Sequence, residues 1–113
     1  MALTRIPFSG STSYRGVKVV ATATAGTTIH TAHATSSDMC WMWAYNSHTA
    51  DVVLTIERGG TTDPDDHVVL TIPFDAGLVP VLEGIPITGS LVVKAFAGTA
   101  SVIALHGYVN REG

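Results

Sequence analysis

Cysteine is almost missing: the 113 residues contain one, Cys40, so no intramolecular disulfide can staple the fold. Charge is scarce too. Asp, Glu, Lys and Arg make up 13% of the chain and hydrophobic residues 46%, against a usual charged share of about 25%, which excludes disorder and a polyelectrolyte. Positive charge is the scarcer sign: six Lys and Arg against nine Asp and Glu leave a net charge of -3. The six cations, Arg5, Arg15, Lys18, Arg58, Lys94 and Arg111, form no run, so neither nucleic acid nor a membrane is an expected partner. The start has no apolar signal-peptide core, and no apolar run approaches the roughly 20 residues of a membrane span. A soluble protein made in a cytoplasm is expected. Also lacking is the i, i+3, i+4, i+7 spacing of an amphipathic helix.

What the chain does contain is short β-branched runs punctuated by turn residues. Strands are expected over 17–24, 28–34, 39–46, 51–58, 67–73, 78–82, 90–97 and 100–110. About eight short antiparallel strands in one 11.8 kDa domain imply an all-β fold, a β-sandwich or jelly-roll-like domain over residues 17–113. Scaling of surface with mass gives about 5,900 Å² for such a folded monomer, enough burial for a core without metals or disulfides. Residues 1–16, with Pro7, Gly10, Gly16 and several Ser and Thr, show no period and read as an extended N-terminal arm. Ala25-Gly26 reads as a tight hairpin turn and 46–50 as a longer one. The loop 59–66 reads as a hairpin connection between two similar strands.

Alternation assigns faces, because residues i and i+2 share one side of a sheet. Val52, Leu54 and Ile56 form an apolar face, with Val53, Thr55 and Glu57 opposite. In the run Met39-Cys40-Trp41-Met42-Trp43-Ala44-Tyr45 neither face is plainly wet, and the same holds for Val102, Ala104, His106 and Tyr108 against Ile103, Leu105, Gly107 and Val109. Two readings stand for these strands: a central strand covered on both sides, or an aromatic face packed against another subunit.

Residues able to carry chemistry are poorly placed for it. His30 and His33 are three apart, which on a regular strand sends them to opposite faces, and His48, His67 and His106 are isolated, so no metal site is expected. Asp63-Pro64-Asp65-Asp66 lacks the spacing of a calcium loop and reads as an exposed turn. No nucleophile elbow, zinc-protease, P-loop or dinucleotide motif is present, so neither enzyme activity nor a cofactor is expected. Cys40, inside an apolar run, reads as a buried hydrophobe.

The strand-turn-strand stretch Val52-Val53-Leu54-Thr55-Ile56-Glu57-Arg58-Gly59-Gly60-Thr61-Thr62-Asp63-Pro64-Asp65-Asp66 and the ending Ala104-Leu105-His106-Gly107-Tyr108-Val109-Asn110-Arg111 resemble the small all-β capsid decoration, or cement, proteins of tailed bacteriophages. The resemblance implies a structural protein, often a homotrimer, that sits on the assembled shell of major capsid protein at the virion surface and reinforces it. It supplies no catalytic residue. Contacts to the capsid or a neighbouring subunit are expected from Arg5, Phe8, Tyr14 and Arg15 on the arm and from Trp41, Trp43, Tyr45, His106 and Tyr108. The alternatives are a carbohydrate-binding module or tail adhesin using exposed aromatics, and a head-completion or tail structural protein.

Overall fold

Period-2 runs of Val, Ile and Thr bury one pleated face and pair their backbones laterally, and two such sheets must then close on each other. The computed structural model, which describes residues 2–113, does this with nine strands and no helix among the described residues. They are β1 (Leu3–Ile6), β2 (Val17–Val19), β3 (Thr27–Thr31), β4 (Asp38–Asn46), β5 (Val52–Arg58), β6 (His67–Ile72), β7 (Val79–Ile87), β8 (Val92–Ala97) and β9 (Ile103–Glu112). One sheet runs β1-β9-β4-β7, with β2 also on β9; the other runs β3-β8-β5-β6. Every pairing is antiparallel. The result is the expected β-sandwich, with an accessible surface of 5782 Å² that matches the size expected of a folded monomer of this mass.

The core lies between the sheets. Cys40, Met42 and Ala44 of β4 and Leu105 and Val109 of β9 face Leu54 and Ile56 of β5 and Val93 and Ala95 of β8, all essentially inaccessible. The β5–β6 hairpin forms as the alternation implies, with Val52 opposite Ile72, Leu54 opposite Leu70 and Ile56 opposite Val68.

Four sequence expectations are corrected. The extended arm does not appear: Leu3–Ile6 pairs with β9 from Val109 to Glu112, and Phe8 is 1% exposed in the core. Gly10 then donates its N–H to the Ile29 carbonyl at 2.9 Å, so this segment stitches one sheet to the other. Its four-residue strand and single aromatic plug are too short to show a period. Met1, the first residue of the expected arm, lies outside the described residues.

Ala25-Gly26 does not close a hairpin, because β2 lies in the five-stranded sheet and β3 in the four-stranded one. Residues 46–50 likewise carry the chain between sheets, from β4 to β5. The last correction concerns the polar face of β5. Thr55 and Glu57 are buried there, and the loop before β3 folds over Glu57: Gly26 donates its N–H to Glu57 Oε1 at 2.7 Å and the Thr24 hydroxyl donates to Oε2. His67 Nε2 is buried beside this carboxylate without a hydrogen-bond partner, 3.8 Å from Oε2.

Candidate docking face

The antiparallel register decides which of the expected contact residues meet. Met39, Trp41, Trp43 and Tyr45 alternate with the core residues of β4 and therefore point outward. Across the ladder they oppose Asn110, Tyr108, His106 and Ala104 of β9. Beyond β9, Arg5 pairs with Asn110 and Lys18 with Ala104, while on the other side Glu83 of β7 pairs with Trp41. Cross-strand neighbours on one face have Cβ atoms about 5 Å apart, so these side chains form one continuous surface.

The aromatic rings on it pack against each other. Trp41 and Tyr108 stack with centroids 6.3 Å apart and planes 22° from parallel, and Trp43 leans on Tyr108 at 6.1 Å. The Arg5 guanidinium lies over the Tyr108 ring at 4.7 Å from its centroid, a cation–π contact. Trp41 extends over Gly84, whose φ of +72° suits glycine and where a Cβ would stand 2.8 Å from the indole. At Gly107, with φ +150°, a Cβ would run into the Trp41 carbonyl; glycine there lets β9 approach β4 closely beneath the rings.

Trp41, Trp43, His106 and Tyr108 are half-buried and Tyr45 is exposed. Tyr14 joins the edge of the face by donating its hydroxyl to the Arg5 carbonyl at 3.2 Å. Arg15 is exposed in the same loop, one residue before Gly16, over which the His106 ring sits. Phe8 does not belong to the face, because it fills the core. The structure thus brings Arg5, Tyr14, Trp41, Trp43, Tyr45, His106 and Tyr108 to one side of one sheet, leaves Arg15 at its margin and removes Phe8.

Behind the face, at one end of the core, lies a cluster that sequence reasoning missed. Asp38, fully buried at the start of β4, accepts two hydrogen bonds from Arg111, Nε to Oδ1 at 2.7 Å and Nη2 to Oδ2 at 2.9 Å. His30 Nδ1 accepts the Ser9 backbone N–H at 3.0 Å, so Nε2 carries the proton and donates to Asp38 Oδ2 at 2.7 Å. The His33 N–H adds a further bond at 3.2 Å. Burial pushes the Asp38 carboxyl up, but the hydrogen bonds from Arg111 and His30, the Arg111 charge and the His33 N–H outweigh it and hold the group at about 2. The Arg111 guanidinium is pushed up in return, chiefly by its hydrogen bonds to Asp38.

Ser, His and Asp stand together here, yet the Ser9 hydroxyl accepts the Thr31 N–H at 2.7 Å and only the Ser9 backbone meets the imidazole. The cluster is a clasp joining the segment before β2 to β3, β4 and β9. Its one sequence signal is Asp38 itself, a lone charge opening an apolar strand.

Elsewhere, burial and the neighbouring Asp38 charge push the Cys40 thiol up to about 11, against a smaller opposing effect of Arg58, which makes it a poor nucleophile. No group of three or more His, Cys, Asp or Glu suited to a metal ion occurs among the described residues. No protein-family model, curated protein or solved structure matches this chain.

Proposed function

We propose that this chain is a structural docking protein that binds another protein through the outer face of its five-stranded sheet. In the setting its sequence resembles, that makes it a decoration protein on an assembled capsid shell. The observation that carries this reading is the stacked set Trp41, Trp43 and Tyr108 with Arg5 over it. Trp, Tyr and Arg are enriched among the hot spots of protein interfaces, where truncation to Ala costs about 2 kcal/mol or more. Rings locked against one another lose little further entropy on binding, and Arg5 and Lys18 against Glu83 and Glu112, two residues beyond the outward Asn110 on β9, leave the face nearly neutral.

The same packing weighs against sugar stacking. Tyr108 is flanked by both indoles and covered by Arg5, so its ring face is already occupied. A partner that binds only the assembled shell stabilises it by mass action, repeated over its many equivalent sites; the reading needs no chemical step. Co-sedimentation with shells of major capsid protein tests it. Saturable binding to shells, with little to unassembled subunits and none on a glycan array, supports the reading. Failure to pellet with shells, or specific glycan binding, contradicts it.

A further inference from the structure

The five-stranded sheet is bounded by β7 on one side and by β1 and the three-residue β2, both on β9, on the other, and the four-stranded sheet by β3 and β6. The outward N–H and C=O groups of edge strands lack a ladder partner, and a protein normally blunts such edges by shortness, Pro or covering contacts. All of these strands but β6 are short or blunted. At β1, only four residues long, the outward Arg5 carbonyl accepts the Tyr14 hydroxyl. At β7, Pro80 and Pro86 cannot donate, and Arg58 Nη2 donates to the Pro86 carbonyl at 2.6 Å. At β3, Gly10 donates its N–H to the Ile29 carbonyl, and the Thr31 N–H donates to Ser9 Oγ.

The β6 edge has none of these devices. The Arg58 N–H donates to the Asp66 carbonyl at 2.7 Å, continuing the β5–β6 register by one pair. Because hydrogen-bonded pairs alternate in an antiparallel ladder, Asp66, Val68 and Leu70 bond β5, while His67, Val69 and Thr71 turn their backbone groups to the open side. The His67 N–H reaches the Pro64 carbonyl at 3.4 Å. The His67 carbonyl and both backbone groups of Val69 and Thr71 have no backbone partner among the described residues. The strand contains no Pro, Gly, Lys or bulge, and Val69 is 58% exposed.

We propose that this edge accepts an extended segment of another protein as a fifth strand of the β3-β8-β5-β6 sheet, and that the segment carries Lys or Arg at both ends around a β-branched middle. The charges choose the occupant. Asp63, Asp65 and Asp66 stand at one end of β6, and Asp51 and Asp75 at the other. A second copy pairing antiparallel would set the first acidic group against the other copy's Asp51 and Asp75, and a parallel copy would align like ends, so both are repulsive. A basic-flanked strand meets carboxylates at both ends, and its backbone satisfies the Val69 and Thr71 groups. The site lies on the sheet opposite the aromatic face and does not depend on that face's role.

Fluorescence anisotropy with the labelled peptide Arg-Lys-Thr-Val-Thr-Val-Thr-Lys-Arg tests this on the full chain. Saturable binding is expected, at least tenfold weaker for a Glu-flanked version and weakened at high salt. Val69→Pro, which removes an outward donor but no β5 bond, should abolish it, with circular dichroism confirming the fold. On the unaltered protein, hydrogen exchange should show the Val69 and Thr71 amides becoming protected by the peptide, and those of Val68 and Leu70 unchanged. No binding, equal binding of acidic and basic peptides, protection at another strand, or self-association that Val69→Pro dissolves would overturn the proposal.

Discussion

Replacing Asp38 with Asn removes the charge that holds four segments together. The carboxylate is inaccessible and takes bonds from Arg111, His30 and the His33 N–H. Breaking a buried pair costs about 3 to 5 kcal/mol; because the Arg111 side chain is 31% exposed and can turn to water, the lower end, about 3 kcal/mol, is expected at pH 7. Linkage fixes the pH dependence. The carboxyl is held at about 2 in the fold against an ordinary 3.8, which corresponds to about 2 kcal/mol of stability present above pH 4. It is lost as pH falls from about 4 to 2, as Asp38 is protonated. Urea unfolding of wild type and Asp38→Asn at pH 7, 4 and 2.5 should therefore show a gap of about 3 kcal/mol shrinking towards about 1 kcal/mol. A gap independent of pH, or below about 1 kcal/mol at pH 7, would refute the clasp.

Phe8→Ala should cost about 3 to 5 kcal/mol by chemical denaturation, as for other buried aromatics, and deleting residues 2–15 should abolish cooperative melting; an unchanged melt would restore the free arm. Gly107→Ala should destabilise by at least about 2 kcal/mol, since its Cβ meets the Trp41 carbonyl at a positive φ, and Trp fluorescence should report the shifted indole. Cys40 should resist Ellman's reagent at pH 8 in the folded protein and react only on unfolding. With its thiol raised to about 11 from an ordinary 9.0, its contribution to stability holds below pH 9 and is lost between pH 9 and 11, so a Cys40→Ala variant should show a shallower alkaline loss.

The eight strands expected after residue 16 were legible because Val52, Leu54 and Ile56 declare their face by alternation alone, and because turn residues bound each β-branched run. For Cys40, Met42 and Ala44 the alternation marked a strand but not which side it buries. Which sheet each strand joins was not legible. Ala25-Gly26 and the turn after Asn46 carry local hairpin signals, but whether a chain doubles back or crosses the core depends on partners as distant as β8 and β9. The burial of Glu57 was hidden for the same reason: the cap that covers it comes from Thr24 and Gly26, 31 to 33 residues away.

The aromatic face was half visible. The sequence put Trp41, Trp43 and Tyr45 on one side of β4 and His106 and Tyr108 on one side of β9 but left open whether those sides are covered, and their meeting, with Arg5 over the top, follows from a register that no local pattern encodes. Phe8 was misassigned because an isolated aromatic in a Ser/Gly-rich segment looks the same whether it plugs its own core or a neighbour's groove.

Electron cryomicroscopy of shells saturated with this protein bears most directly on the docking reading. The expected density has the outer face of β1, β9, β4 and β7 against the shell, with Trp41, Trp43, Tyr108 and Arg5 buried at the contact and the four-stranded sheet turned away. Density with that aromatic face open to solvent, or shells that carry no added density, would contradict it.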